Sequence, residues 1–198
     1  MNPNFIIEYS AYTIKLLSDD KKTFEKVVEE EKIGKLGFAM IATAMAAFDV
    51  YAWILYQKFN NRVNNDKLFS LLLNNNRFFD KTKYGNEKAF YSLVRCGVLH
   101  QLYPKNANIV AVNSEIILYK YNNKIIINAY ALFCDVLDGI KKIHAFIEEQ
   151  KNEEKMNLSI KLLMRKKMDE EESEDAKINI ESLPDLCIIS TTTTTTGL

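Results

Sequence analysis

The sequence predicts a mainly α-helical domain, a bundle of four to five helices with a β-hairpin inserted after the stretch 86–105. Three observations carry this expectation. Apolar residues recur at helical spacing through most of residues 1–150. Between 109 and 128 the pattern changes to runs of β-branched and aromatic residues on either side of Asn122-Asn123. Residues 151–198 contain no aromatic residue, so the core is assigned to 1–150 and the remainder to a charged, mostly disordered tail.

Taken in order, Phe5, Ile6, Tyr9, Tyr12 and Leu16 mark a first amphipathic helix over 5–18. Ser18-Asp19-Asp20 reads as a stop and a new N-cap, followed by a short helix from Thr23 to Glu31. Gly34 and Gly37 precede a long helix reaching about Phe59, apolar on nearly every side, with Ala39, Ala42, Ala44, Ala46 and Ala47 as small contact residues. Asn60 to Asn65 forms a polar break, and Asp66 caps a helix running to about Phe79. After Tyr84-Gly85-Asn86 comes the stretch Asn86 to Lys105. It reads as one helix, ended by Pro104, around which the others pack. Ile109–Val112 and Glu115–Tyr121 read as strands, Asn122-Asn123 as a hairpin turn, and Lys124–Ile127 as the return strand. A closing helix from Ala129 to about Gln150 carries Tyr130, Phe133, Leu137, Ile140, Ile143 and Ile147 on one stripe. In the tail, Asn157–Met168 has the spacing of a short basic helix, Asp169–Asp175 is acidic, and Thr191–Thr196 is a homopolymer.

Charge is balanced, 26 basic against 26 acidic residues, which argues against a protein that coats nucleic acid along its whole surface. The balance conceals a segregation: residues 58–124 hold 11 Lys or Arg and 4 Asp or Glu. That middle segment suits a local anionic partner, or is simply a set of solvated lysines. Cys96, Cys134 and Cys187 have no metal-ligand spacing and suit free thiols in a reducing cytoplasm. Asn2-Pro3-Asn4 and the short apolar run broken by Glu8 do not resemble a signal peptide. Asp49 and Thr43 interrupt the apolar run 38–56 and favour a buried core helix over a membrane span, although a membrane-associated scaffold remains a third reading.

The chain has two histidines, and His100 follows Arg95 by five residues. On an ideal α-helix the two side chains diverge by about 140°, so they converge only if the helix end distorts near Gly97 and Pro104 or if a second subunit completes the site. Arginine grips a phosphate through two parallel hydrogen bonds, and histidine exchanges protons near neutrality. Together they suit phosphodiester cleavage through the ribose 2′-hydroxyl, with no metal or cofactor required. The competing readings are a helix arginine paired with an acid and a histidine capping a helix C-terminus. Asp49 needs a partner inside so apolar a helix: Arg95 from a neighbouring helix, or a tyrosine or free helix-end amide. Arg77 and Lys105 are candidate phosphate contacts or ordinary surface charges, and Tyr103 is a candidate base-stacking ring or a core contact.

Arg95-Cys96-Gly97-Val98-Leu99-His100 resembles the Arg-x4-6-His motif of the HEPN superfamily, small helical domains many of which are metal-independent ribonucleases of toxin–antitoxin and phage-defence systems. The resemblance covers about 36–150 in layout: a long apolar helix with an internal Asp, a second helix, the motif helix, an extended insert and a closing helix. It implies Arg95 as the phosphate-binding residue, His100 as the acid or base, a homodimer with both pairs in one cleft, and an antitoxin or nucleotidyltransferase as partner. Cys96 stands where active members commonly carry Asn, Asp or His. Two functions therefore remain open: a metal-independent RNA endonuclease, and a non-catalytic helical module of the same shape that binds a nucleotide, RNA or a protein.

Overall fold

The computed structural model describes residues 3–29, 36–56, 65–96, 107–150, 154 and 177–186. Within them the protein is mostly helical, with five α-helices and one small sheet. The helices are α1 (Pro3–Glu29), α2 (Gly37–Tyr56), α3 (Asn65–Leu73), α4 (Glu87–Phe90) and α5 (Ala129–Gln150).

Among the described residues the centre is α5 (Ala129–Gln150); the second half of the stretch expected there, 97–105, lies outside them. Tyr130, Phe133, Leu137, Ile140, Ile143 and Ile147 are all buried, as their spacing predicts. Both long helices, α1 and α2, pack on α5. Its close approach to the segment after α3 depends on Gly139. A Cβ there would stand 2.2 Å from Cζ of Phe79, and Phe79 is itself wedged against Phe48 of α2, centroid to centroid 4.9 Å.

The expected break at Ser18–Asp20 is absent; α1 is continuous. Its buried row, Ile6, Ser10, Leu17 and Phe24, keeps one phase across those residues, so one helix serves the whole row. Asp19 stays on the outside, paired with Lys22 at 2.9 Å, and Ser18 Oγ donates to the Ile14 carbonyl at 2.6 Å instead of capping a new helix. At the two ends of the α1–α5 contact, Tyr130 Oη donates to Glu25 Oε1 (3.0 Å) and Ser10 Oγ meets His144 Nδ1 (2.6 Å).

By length and composition, α2 is the one helix among the described residues able to cross a membrane, but half of its most apolar window is buried in the fold. It is the apolar pillar between α5 and α3. α3 ends at Leu73, six residues before the expected limit of Phe79. Asn74-Asn75-Asn76 explains this, because Asn side chains compete for the backbone in turns. Buried Asn75 receives the Phe78 amide on its carbonyl, receives the Arg77 amide on Oδ1, and donates from Nδ2 to Tyr56 Oη at 3.1 Å. Burial pushes the Tyr56 phenol up to about 12, partly offset by that bond.

The sheet order is β1-β3-β2, with β1 Ala107–Val110, β2 Leu118–Tyr121 and β3 Lys124–Asn128. The predicted hairpin is β2–β3; Asn122 and Asn123 both take positive φ, 49° and 57°, as a two-residue turn between twisted strands requires. β1 lies parallel to β3 on its other side, Ala107 opposite Ile125. Residues 111–117 wrap around the fully buried Asn128, whose Nδ2 donates to the carbonyls of Val112 and Ile116 at 3.1 Å each. The free edge of β2 is covered by the tail. Lys120 N donates to the Pro184 carbonyl (2.9 Å) and Leu186 N to the Lys120 carbonyl (3.0 Å). Residues 184–186 thus bridge to the outer edge of β2 at one pair, Lys120 and Asp185, beside the three-stranded sheet. Asn60–Asn64, Asn157–Met168, Asp169–Asp175 and Thr191–Thr196 lie outside the described residues.

The Gly139–Phe79 contact gives a test with a clear sign. Alanine exceeds glycine in helix propensity by about 1 kcal/mol, so Gly139→Ala would stabilise α5 if space allowed. The overlap with Phe79 instead predicts a loss of roughly 1–3 kcal/mol in urea unfolding. An unchanged or raised midpoint would show that Phe79 is not locked against α5.

Candidate functional site

Residues 86–96 carry the first half of the motif. Asn86 caps the stretch, its Oδ1 accepting from the amides of Lys88 (3.1 Å) and Ala89 (3.0 Å). α4 lasts only to Phe90. Tyr91–Cys96 then form a π-helical turn, so the expected single α-helix over 86–105 is corrected for these residues. The turn is seated by aromatic rings: Phe90 against Tyr84 (5.0 Å) and Phe69 (6.3 Å), and Tyr91 against Phe69 (5.1 Å). Phe90 and Val94 are fully buried, and Leu93 nearly so.

Arg95 and Cys96 are the last two residues of the π-turn. A π-turn closes between i and i+5 rather than i and i+4. Residues 91–96 thus lack the α-helical geometry from which a 140° divergence follows, and residues 97–100, which complete the spacing to His100, lie outside the described residues. His100, Tyr103 and Lys105 lie outside the described residues, as does the side-chain pairing of Asp49 with Arg95.

Asp49 is half-buried on α2. It lines an open groove of about 650 Å³ with Phe5, Tyr9, Val50, Trp53 and Leu68, walls that are otherwise apolar. Arg77 is drawn onto α5: Nη2 bonds Glu149 Oε2 at 2.9 Å, and its guanidinium carbon lies 4.4 Å from the centre of the Phe146 ring. Part of its donor capacity is thus already used within the fold.

Three polar clusters escaped the sequence reading because their members are far apart in the chain. Ser10, His144 and Glu148 form a chain, with Nε2 of His144 3.5 Å from Glu148 Oε1. The residue types are those of a nucleophile, a base and an orienting acid. Ser10, however, is fully buried and its hydroxyl is also bonded to the Ile7 carbonyl at 3.0 Å, so a substrate has no approach to it. Tyr130, Glu25 and Cys134 form a second cluster. Burial raises both the Tyr130 phenol and the Cys134 thiol above their ordinary values, the opposite of what a reactive thiolate needs.

The third cluster is a strap between the segment before α4 and α5. Asp135 accepts from Tyr84 Oη at 2.5 Å and from Lys83 Nζ at 2.7 Å. Burial, then the Asp135 charge, lifts the Tyr84 phenol well above its ordinary value, so it stays a neutral donor. The hydrogen bond to Asp135 raises Lys83. Among the described residues no three His, Cys, Asp or Glu side chains stand together as a metal site. No family model matches this chain, and neither the curated proteins nor the solved structures include a match.

Asp135→Ala strands the buried Tyr84 hydroxyl and is expected to cost roughly 1–3 kcal/mol in denaturant unfolding. Adding Tyr84→Phe removes the stranded hydroxyl and should recover part of that loss. Additive losses in the double variant would show that the two side chains are not coupled.

Proposed function

We propose that the protein is a HEPN-like, metal-independent RNA endonuclease acting in the cytoplasm as a homodimer, with Arg95 and His100 as its catalytic pair. The observation that carries this reading is the π-helical turn ending at Arg95 and Cys96. Such turns are rare and concentrate at functional sites. A mostly helical fold, with a sheet between the motif stretch and the closing helix, agrees with the layout that suggested the family.

In this mechanism Arg95 holds the scissile phosphate by two N–H···O bonds and offsets charge growing on its oxygens. His100 of one subunit takes the proton of the ribose 2′-hydroxyl. The 2′-oxygen bonds to phosphorus and the bond to the 5′-oxygen breaks, that oxygen taking a proton from the second His100. The products are a 2′,3′-cyclic phosphate and a 5′-hydroxyl. The basic segment 58–124, with 11 Lys or Arg against 4 Asp or Glu, steers RNA toward the cleft. Lys105 and Tyr103 add a phosphate contact and a stacking ring, Asp49 orients Arg95, and an antitoxin or nucleotidyltransferase partner restrains the activity.

The alternative, a non-catalytic module binding a nucleotide, RNA or a protein, is favoured by Cys96. A thiol at the position next to the arginine is a weak donor where active members carry a polar side chain.

Inducing the wild type is expected to slow growth and fragment total RNA. Arg95→Ala and His100→Ala, at matched soluble levels, are expected to relieve both; loss of a general acid–base lowers the rate about 10²–10⁴-fold. Intact RNA with the folded wild type would move the assignment to the binding module.

A further inference from the structure

Among the described residues α1 carries a second apolar stripe besides its core row. Phe5, Tyr9, Tyr12 and Leu16 are spaced i, i+4, i+7 and i+11, one helical face. This face lies about 100° round the helix from the core row Ile6, Ser10, Leu17 and Phe24. Phe5 is 60% exposed, Tyr12 61% and Leu16 47%. Across the groove α2 adds Val50 and Trp53, 37% and 49% exposed. The exposed parts of these five side chains amount to roughly 500 Å². That is most of the ~800 Å² each partner contributes to a stable interface.

We infer that this face is a two-fold interface with a second copy of the same chain, α1 packing antiparallel on α1. The stripe reads the same in both directions: reversed about its midpoint, Phe5 falls opposite Leu16 of the second copy and Tyr9 opposite Tyr12. A two-fold interface requires such self-complementarity. The flanking charges meet the same condition. Glu8 and Lys15, both exposed, lie on one side of the stripe. In the antiparallel arrangement Glu8 of each chain comes within about 3 Å, along the axis, of the level of Lys15 of the other. Two opposite-charge pairs then flank the apolar seam, as in helix pairs whose partner and direction are set by edge charges. In a parallel two-fold pair the same flank of the two helices falls on opposite sides of the seam, so Glu8 and Lys15 would find no such partners. The stripe ends where Asp19 begins, so the seam has a defined length. Asp49 lies in the groove bordering this face.

The inference stands independently of RNA cleavage, since the face pairs whether or not Arg95 and His100 react. The full-length chain is examined by sedimentation equilibrium at roughly 50 μM. The expected result is a mass twice 22.9 kDa, with the emission of Trp53, the one tryptophan, shifting to the red on dilution. Tyr12→Glu and Leu16→Glu should each raise the dissociation constant about 100-fold while the far-ultraviolet spectrum stays that of the wild type. Glu8→Lys and Lys15→Glu should each weaken the dimer about tenfold, and the double exchange should restore it. A monomeric wild type at that concentration overturns the inference. In that monomer a blue Trp53 emission would identify a segment of the chain itself as the cover, and co-sedimentation with phosphatidylcholine vesicles a membrane. A dimer indifferent to Leu16→Glu overturns it equally.

Discussion

The packing around Phe69 is the constraint on which the motif stretch depends. This ring from α3 is completely buried and touches three elements at once: Phe48 of α2 at 4.5 Å, Phe90 of α4 at 6.3 Å and Tyr91 of the π-turn at 5.1 Å. Phe48 in turn meets Phe79, which fills the notch left by Gly139 on α5. A continuous chain of rings thus runs from the central helix to the turn that ends in Arg95. Buried aromatic rings pack in specific tilted and edge geometries, each pair contributing about 0.5–1.5 kcal/mol beyond its area. The seat of the motif is therefore set by shape-specific contacts, and Arg95 is carried by a turn whose inner side cannot shift without disturbing α2, α3 and α5 together.

Where local pattern and tertiary demand agree, the fold is legible in the sequence. α5 runs over Ala129–Gln150, the limits its stripe implies, because its apolar face is continuous and no competing turn residue interrupts it. The Asn122-Asn123 turn is legible for the same reason: few residues accept two successive positive φ values. Ser18-Asp19-Asp20 looked like a stop because those residues favour caps. The core row of α1 runs past them unbroken, and burial of Leu17 and Phe24 outweighs the local preference. The parallel pairing of β1 with β3 and the docking of residues 177–186 on β2 are long-range choices. No periodicity within either segment encodes them.

The candidate site was legible as a pair of residue types and not as a geometry. An Arg and a His five apart are visible in the chain, but no spacing announces the π-turn that ends at Arg95 and Cys96. The polar clusters at Ser10–His144, Tyr130–Glu25 and Asp135–Tyr84 join positions 134, 105 and 51 residues apart. Each ties α5 to another element. They contribute to holding the helices together, and the burial of Ser10 and the raised thiol of Cys134 leave neither a reactive nucleophile. The chemistry proposed here accordingly rests on the motif stretch, and the assembly proposed here on the exposed stripe of α1.

The most direct test is the chemical end left on RNA. Purified wild-type protein is incubated with a labelled single-stranded RNA in excess EDTA, and the products are resolved with and without a phosphatase that acts only on linear phosphate ends. The account predicts fragments ending in a phosphatase-resistant 2′,3′-cyclic phosphate, formed by wild type and absent with Arg95→Ala/His100→Ala. Cleavage that EDTA abolishes, or fragments that the double variant forms equally well, would contradict it.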